Sequence, residues 1–386
     1  MLKAYKYRIE PNKKQESLLL QTFGCVRKLW NYNVEIFNKN TLDKHEKPMN
    51  STQLRREFVY MKNVSSAALQ QKERDFTQFK SSYFSKTRKN KIGRPKFKCK
   101  DDTQSFRLPN GPFYIKGNLI HLDKIGKVKI TIDREIPKDY RLMSVTVSKN
   151  KSNQFFASVL VEQEITYKPK TGKQIGIDVG LTTFVTGSDD LKIENPRYFR
   201  NNQAKLAKIQ RRFSRKKKVL VGDNKVDSVR RKKSKLKVSR NYLKVVNQRK
   251  DFLHKITTKL VNDYDFISIE TLNVSGMVKD QKHSKSILDA SWSEFSRQLE
   301  YKCLWYGKQL IKVDQWFASS KICNQCGWKN KELNLEDRVF TCRVCLNSLD
   351  RDLNASKNIL KEALSVDNAI RTQTCHETGM KRLKVR

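Results

Sequence analysis

Long apolar runs are missing from this sequence. No stretch approaches the roughly 18 consecutive apolar residues that a membrane-spanning helix needs. The opening residues, Met1 to Lys6, also lack the apolar core of a secretory signal. We therefore expect no membrane partner and a cytoplasmic location.

Acidic residues are also scarce. Asp and Glu together number 39 against 81 Lys and Arg, which gives a formal net charge of +42 over 386 residues. Because so much like charge repels itself in a compact fold, a polyanion is the natural partner. An anionic membrane is the competing polyanion. The basic charge, together with the aromatic content, favours nucleic acid.

Two segments concentrate the basic charge. Residues 79–100 hold nine Lys or Arg and no acid, and residues 200–250 hold 20 against Asp223 and Asp227. A charge run is usually a solvated face, but two acids among 51 residues make that reading weak for the second segment. We expect both segments to contact phosphates.

Cysteine is rare outside one cluster, which argues against a disulfide framework and fits a reducing cytosol. The cluster consists of two Cys-x-x-Cys pairs, whose separation suits a tetrahedral zinc ion with four thiolates. Four unrelated cysteines, or a redox pair, would explain this spacing poorly. Four thiolates leave no position for a catalytic water, so we expect structural Zn²⁺. The predicted ligands are Cys323, Cys326, Cys342 and Cys345.

The N-terminal part of the chain combines two kinds of periodicity. Residues 2–9 resemble a strand, apolar residues then recur at helical steps from Leu19 to Phe37, and a second helix is predicted from Ser65 to Phe84. From about 105 to 165 the pattern changes to the alternation of short strands, including Val128, Ile130 and Ile132. We therefore expect a small antiparallel sheet or barrel into which the helices are inserted.

Strands and helices alternate after a polar linker at 168–173. Strands are predicted at 174–179 and 266–269, a loop at 221–227, and a last helix at 353–364. The tail, 365–386, is polar and basic and is expected to be mobile. Two further helical stripes are predicted, one with Leu243, Val246, Leu253, Ile256 and Leu260, the other with Trp292, Phe295, Leu299, Cys303, Tyr306 and Leu310.

Three acids lie where an unpaired carboxylate would be costly. Asp178 and Glu270 follow apolar strand-like runs, and Asp352 precedes a helix. Each could be an exposed acid at the end of an element. Alternatively, the three converge on one or two divalent cations that activate water against a phosphodiester. Oxygen ligands favour Mg²⁺ or Mn²⁺ over zinc.

The sequence resembles the TnpB proteins of bacterial insertion sequences, compact relatives of type V CRISPR effectors. The resemblance covers nearly the whole chain. Its motifs are Gly24-Cys25-Val26-Arg27, Gly176-Ile177-Asp178-Val179-Gly180, Asp251-Phe252-Leu253-His254-Lys255, Ile269-Glu270-Thr271-Leu272, residues 294–302, both cysteine pairs and Asp350-Arg351-Asp352-Leu353-Asn354-Ala355. One departure is Leu346, which stands where the second cysteine pair usually has Gly and is expected to distort that turn.

The resemblance implies a multidomain α+β fold. A RuvC nuclease domain of RNase H-like fold would span 169–320 and 347–364, with a zinc ribbon that binds target nucleic acid inserted at 321–346. A wedge β-barrel would span 1–10 and 95–168, with a helical recognition lobe at 11–94. The catalytic acids would be Asp178, Glu270 and Asp352, with Asp350 as the reserve for the last.

The resemblance also implies nucleic-acid contacts. Gln70 would read the short duplex motif beside the target, since an amide can bond adenine bidentately, although an ordinary surface Gln is about as good an explanation. The guide RNA would lie on the basic segments. The contacts that we predict in the second segment are Arg211, Arg212, Arg215, Lys216 and Lys217.

The resulting hypothesis is an endonuclease, monomeric in its complex with RNA. A guide RNA from the transposon end would select double-stranded DNA, and one RuvC site would hydrolyse both strands. Three rivals stay open on the sequence: a guided binder that no longer cuts, a transposase that transfers strands with the same acids, and a metal-free RNA-binding protein whose acids are structural.

Overall fold

The computed structural model describes residues 1–383 except 41–47, 86, 88–91, 138, 166, 222–223, 280–282 and 335, and leaves out the side chains of 221, 224, 225 and 370–383. Parts of both basic segments, including Asp223, therefore lie outside the described residues. The chain divides into two compact units, Met1–Glu164 and Ile165–Arg386. Among the described residues, no helix is long and apolar enough to cross a membrane.

A seven-stranded antiparallel sheet forms the first unit, in the order β2-β6-β7-β1-β5-β4-β3. The predicted alternation is present, with Tyr5, Tyr7 and Ile9 of β1 buried on one face. Its strands are β1 (Leu2–Glu10), β2 (Gln104–Pro109), β3 (Phe113–Lys116), β4 (Leu119–Leu122), β5 (Gly126–Thr131), β6 (Tyr140–Lys149) and β7 (Phe155–Gln163). Ile132, predicted as the end of a strand, lies just beyond β5 and is exposed.

The helices of the first unit follow β1 in sequence and precede β2. They are α1 (Lys13–Asn40), α2 (Ser51–Glu57) and α3 (Ser66–Phe84), with a 3-10 turn at Val59–Asn63. The predicted apolar face of α1 is buried, as Leu19, Phe23 and Val26 join the core of the sheet. Since β1 pairs with β7 and β5, the helices are an insertion between the first two strands.

The second unit is built on a five-stranded mixed sheet in the order β10-β9-β8-β13-β14. β8, β9 and β10 form an antiparallel meander, whereas β13 runs parallel to both β8 and β14. The strands are β8 (Gln174–Asp178), β9 (Thr183–Gly187), β10 (Lys192–Glu194), β13 (Phe266–Glu270) and β14 (Gln309–Val313). Parallel β8 and β13 direct their carboxyl ends to one edge of the sheet.

Helices and two hairpins complete the second unit. They are α4 (Tyr198–Ser214), β11 (Lys218–Val221), β12 (Asn224–Asp227), α5 (Val229–Asp263), α6 (Val274–Lys279), α7 (Ser284–Ala290), α8 (Trp292–Tyr306), a 3-10 turn (Ser319–Lys321), β15 (Val339–Thr341), β16 (Ser348–Asp350) and α9 (Arg351–Leu383).

Four details of the predicted elements were wrong. The expected loop at 221–227 is largely the β11–β12 hairpin, where β-branched Val219 and Val226 favour strand. The last helix continues past 364 to Leu383, and at Asp367 it is held by burial and by a hydrogen bond from Gln309. On α5, Val245 is buried and Val246 exposed. Leu310 belongs to β14, since α8 ends before Gly307, whose φ is +67°.

Candidate functional site

Two of the three predicted acids lie at the carboxyl ends of neighbouring strands, at the same edge of the sheet. Asp178 is the last residue of β8, and Glu270 is the last residue of β13. The two strands are parallel, and Ile177 pairs with Ile269. The residue that follows each member of this pair is therefore one of the acids, so the sheet holds both carboxylates side by side.

The third acid reaches this edge through a helix packed directly on β8. A Cβ atom at Gly176 would lie 2.2 Å from the carbonyl oxygen of Ser356 and 2.7 Å from the backbone nitrogen of Leu360. Only glycine permits this approach of α9 to the strand. Asp352 stands one helical turn before Ser356, about 6 Å along the axis, and Asp178 stands two strand residues, about 6.6 Å, beyond Gly176. The charge of Asp352 also acts on Asp178, which agrees with a position of both acids near this contact.

The electrostatics support this proximity. Burial, followed by the charges of Glu270 and Asp352, raises the pKa of Asp178 to about 8, against opposing effects of Arg351 and the Val179 N–H. Burial also raises the pKa of Glu270, partly offset by a hydrogen bond from the Ser319 hydroxyl. The site therefore carries more negative charge than its own partners compensate, which is the condition a divalent cation relieves.

The oxygen atoms of Asp178, Glu270 and Asp352 are not as closely grouped as the four cysteine sulfurs. In the described part of the chain, the cysteine quartet is the one set of three or more His, Cys, Asp or Glu residues whose ligand atoms all lie within 4.8 Å of one another. Asp178, Glu270 and Asp352 are more widely spread, although all three are half-buried at one edge.

Asp350, the reserve candidate, already has another role. Its Oδ1 accepts hydrogen bonds from the backbone N–H groups of Asp352 (2.9 Å) and Leu353 (3.2 Å), and its Oδ2 pairs with Lys192 at 3.1 Å. Asp350 is thus the N-cap of α9, and the Lys192 contacts, together with the backbone N–H donors, outweigh the effect of burial and lower its pKa. Asp352 is the acid of this motif whose charge acts on Asp178.

The four predicted zinc ligands lie together. The sulfur atoms of Cys323 and Cys345 are 3.5 Å apart, as are those of Cys326 and Cys342. Tetrahedral zinc at Zn–S distances of about 2.3 Å would separate the sulfurs by about 3.8 Å. Burial alone would raise the pKa of Cys323, yet backbone N–H groups and the neighbouring thiols lower it to about 6. The Asn347 N–H lowers the pKa of Cys345, yet burial and the neighbouring thiols raise it to about 12. The crowded thiols thus favour a mixture of charged and neutral states that a cation would convert to four thiolates. The four-sulfur donor set fits a Zn²⁺ ion.

Each cysteine pair is followed by a residue with a positive φ. Gly327 has φ +79°, and Leu346, at the equivalent place after the second pair, has φ +56°. The expected distortion at Leu346 is therefore absent. Instead, a leucine side chain that is 80% exposed adopts a left-handed conformation that costs roughly 1–2 kcal/mol.

Side chains of α9 tie the cysteine-bearing segment to the acids. Asn354 accepts a hydrogen bond from the Asn324 N–H (3.0 Å) and donates one to the Ile322 carbonyl (2.7 Å). Asn358 donates to the Ser319 and Ile322 carbonyls at 2.8 and 2.6 Å. Ser319 in turn donates to Glu270. This chain of contacts was not predicted from the sequence, although Asn354 and Asn358, four residues apart and so on one face of the helix, were a signal.

The predicted nucleic-acid contacts are solvent-accessible. Gln70 is exposed on α3 beside buried Ala68 and Leu69. The five basic candidates are exposed at the end of α4 and just after it, where cations also favour the helix dipole: Arg211, Arg212, Arg215, Lys216 and Lys217. These positions fit contact with a polyanion.

Three family profiles match the chain. One described as "Probable transposase", of the IS605 OrfB type, matches residues 157–281, and one described as "Cas12f1-like, TNB domain" matches residues 292–359. A third, described as a helix-turn-helix domain, matches residues 1–40. That description does not fit the structure of this segment, which is strand β1 followed by the single 28-residue helix α1.

Two relatives align along nearly their entire length. A Streptomyces pristinaespiralis protein named "Putative RNA-guided DNA endonuclease" is 35% identical over 94% of this chain and 90% of its own. An Escherichia coli K12 protein named "Putative RNA-guided DNA endonuclease InsQ" is 30% identical over 93% of this chain and 92% of its own.

A solved structure shares the fold. The Cas12f1 chain in a complex with sgRNA and target DNA superposes with a TM-score of 0.51 at 13% identity, over 93% of this chain and 98% of that chain. The resemblance found in the sequence is confirmed by the two relatives, and the mixed α/β fold of the chain is similar to that of Cas12f1. The chain belongs to the TnpB family of insertion-sequence proteins, the IS605 OrfB type.

Proposed function

We propose that this protein is an RNA-guided DNA endonuclease whose nuclease centre is formed by Asp178, Glu270 and Asp352. The observation that carries the proposal is the meeting of these three carboxylates at one sheet edge, where burial and their charges raise the pKa of Asp178 to about 8. The names of the two close relatives and a net charge of +42 support a guide RNA and a DNA target as partners.

The sheet supports a RuvC-like nuclease domain. Three antiparallel strands followed by two parallel ones, in the order β10-β9-β8-β13-β14, match the arrangement expected of an RNase H-like fold. Asp178 and Glu270 end the two central parallel strands, and α9 supplies Asp352. Under this proposal, one centre hydrolyses both strands of the target in turn.

The three carboxylates would hold Mg²⁺ or Mn²⁺, since their oxygen atoms are the ligands these hard cations prefer. When bound, a pair of such ions supplies activation of the attacking water and stabilisation of the leaving oxygen. The chain's own contribution is to fix the carboxylates. The β8–β13 register aligns Asp178 and Glu270, Ser319 orients Glu270, and the Asp350 cap fixes the start of α9.

The cysteine quartet would hold a structural Zn²⁺. Its ligand atoms lie within 4.8 Å of one another, and the small segment around it has little apolar core beyond Leu333 and Phe340. Because so small a core cannot stabilise itself by burial alone, the ion would supply most of the local folding energy. The contacts from Asn354 and Asn358 would then transmit that order to Ser319 and Glu270.

The nucleic-acid assignments belong to the same proposal. The exposed basic residues at the end of α4 would contact backbone phosphates, which carry no sequence information. Gln70 would contact a base of the short duplex beside the target, and the guide would read the remaining sequence by pairing. One chain would bind one guide RNA.

Cleavage of bare DNA by paired variants tests the nuclease centre. The protein is purified with the RNA that accompanies it and given Mg²⁺ and a plasmid with a matching target beside a randomised flank. Asp352→Asn should lower the single-turnover rate by more than about 10³-fold, because a site ligand loses its charge. Asp350→Asn is the matched control, since Asn also caps helices and should leave the rate within about tenfold.

Each rival predicts a different result. A guided binder retains the plasmid without cutting it. A strand-transfer enzyme needs a donor 3′-hydroxyl and leaves the bare plasmid intact until such a donor is added. An RNA-binding protein with structural acids gives the same result with Asp178→Ala as with the unaltered chain. Full cleavage by the Asp352→Asn variant would remove this residue from the centre.

A further inference from the structure

One tryptophan is displayed on the surface beside the candidate nuclease centre. Trp316 is 83% exposed, whereas the other four tryptophans, at positions 30, 292, 305 and 328, are buried or half-buried. A large aromatic side chain normally contributes its apolar area to a core. A tryptophan left this exposed is therefore available to a ligand or a partner.

Both ends of the loop that carries Trp316 contact Glu270. Val313, the last residue of β14, pairs with Glu270 in the sheet, and Ser319 donates a hydrogen bond to its carboxylate. Trp316 lies three residues from each of these anchors, so its Cα atom is within about 11 Å of both. The indole, on a side chain several ångströms long, is thus within reach of the rim of the carboxylate centre.

Hydrogen bonds give this loop a definite shape. The Asp314 side chain accepts from the Trp316 N–H at 2.7 Å, the Asp314 carbonyl accepts from the Phe317 N–H at 3.1 Å, and the Ser319 N–H donates to the Phe317 carbonyl at 2.9 Å. Phe317 packs inward against the cluster of Val313 and Ile359. The turn that brings Phe317 inside holds Trp316 outside, so its exposure is built into the loop.

We propose that Trp316 stacks on one unpaired base of the DNA strand that is being cleaved. This inference rests on the proposed function. An indole face can stack on any base, which suits a protein whose sequence selection comes from pairing with a guide. Stacking next to the scissile phosphate would hold the strand over Asp178, Glu270 and Asp352.

The surroundings of Trp316 favour a base over a protein partner. Lys312, Asp314 and Gln315, its neighbours along the chain, are polar and exposed. A lone aromatic side chain among polar groups does not form the continuous apolar patch of a protein interface. It does match the mixture of aromatic and charged groups that binds single strands.

Three variants test the proposal in the full-length protein bound to its copurified RNA. Trp316→Ala should slow single-turnover cleavage of the matched plasmid by about 5- to 150-fold, the loss expected for one stacked base. Trp316→Phe keeps an aromatic face and should stay within about fivefold of the unaltered rate. Leu304→Ala is the control, since Leu304 is 71% exposed on α8 of the same unit and should have no effect.

A substrate scan identifies the base. Single abasic nucleotides are placed one at a time along the cleaved strand. One position should slow the unaltered protein as much as Trp316→Ala does, and the variant should be insensitive at that position. Guide-directed DNA binding and the thermal unfolding temperature should not change, because the side chain is exposed.

Several results would overturn the proposal. Unaltered cleavage by Trp316→Ala, or equal loss in the Ala and Phe variants, excludes stacking while leaving the nuclease assignment intact. A change from dimer to monomer in Trp316→Ala, measured by light scattering, would assign the residue to an interface between copies. If the unaltered protein cleaves no matched DNA, both the stacking role and the proposed function fail.

Discussion

The contact between Gly176 and α9 offers a test of the site that leaves every carboxylate in place. In Gly176→Ala, the new Cβ atom would lie 2.2 Å from the Ser356 carbonyl oxygen, whereas ordinary van der Waals contact begins at 3.4 Å. Both nearest atoms, the Ser356 oxygen and the Leu360 nitrogen, belong to the helix backbone. No side-chain rotation can relieve the overlap, so the helix must move away from the strand until ordinary contact is restored.

This displacement has two measurable consequences. Overpacking of this kind costs about 1–3 kcal/mol of unfolding free energy. A shift of about 1 Å in a group at a reacting centre can cost about 10²-fold in rate. We therefore expect Gly176→Ala to fold, with a lowered unfolding temperature, and to cleave about 10²-fold more slowly than the unaltered protein under single-turnover conditions.

Two further variants sharpen the assay. Gly24→Ala is the matched control, because a Cβ at Gly24 on α1 meets nothing within 4 Å and its φ is ordinary. Its cleavage should be unaltered and its stability equal or slightly higher, since Ala favours helix over Gly. Ser356→Gly should not rescue Gly176→Ala, because the clashing oxygen is main-chain. If Gly176→Ala cleaves within twofold of the unaltered protein and unfolds at the same temperature, the contact does not set the position of Asp352.

Other predictions concern the parts that support the site. Leu346→Gly should relieve the left-handed backbone strain and slow zinc loss to a chelator about fivefold, which corresponds to roughly 1 kcal/mol. Gly327→Leu should introduce the same strain and accelerate zinc loss. If neither variant changes the rate of zinc loss, the backbone at these positions is not strained. Asn354→Ala should lower the unfolding temperature and speed zinc release, because two hydrogen bonds between α9 and the cysteine segment are lost; release at the unaltered rate would mean that these bonds do not hold the segment. Lys308 and the backbone N–H groups of 171 and 172 outweigh burial and lower the pKa of Asp265 below its usual 3.8. The charged Asp265 carboxylate therefore stabilises the fold above pH 3.8, and this stabilisation should be lost as the pH falls through the folded-state pKa. The free energies of unfolding of Asp265→Asn and of the unaltered protein, measured with denaturant, should therefore become equal in acid.

The elements with strong periodicity were predictable from the sequence. The face of α1, the alternation of β7 and the short apolar strand β13 each bury the predicted residues, because one face of each element must leave water. The cysteine quartet was equally accessible, since two short pairs fix the local geometry of four thiols. Local pattern and local spacing were enough in these cases.

Structural features that depend on contacts between distant segments could not be predicted from the local sequence pattern. The high density of charged residues in the β11–β12 hairpin obscured its strand pattern. In α9, the helix continues through Asp367, which is buried and bonded to Gln309, where the sequence predicted no regular structure. The choice between Asp350 and Asp352 needed the resemblance, and the structure adds the reason: the oxygens of Asp350 are bonded to the helix N-terminus and Lys192. Gly176 looked like part of a motif, and its role appears only when Ser356 is beside it.

The same Gly176 contact has a consequence for synthesis on the ribosome. β8 leaves the ribosome long before α9, because nearly half of the sequence lies between Asp178 and Asp352. Until residues 352–360 emerge, the face of β8 at Gly176 has no helix against it and the carboxylate set lacks a member. A nascent or prematurely terminated chain can therefore carry the basic segments that we propose to contact RNA while holding only two of the three acids. Under the proposed function, the segments for RNA binding would be synthesised before the nuclease centre is complete.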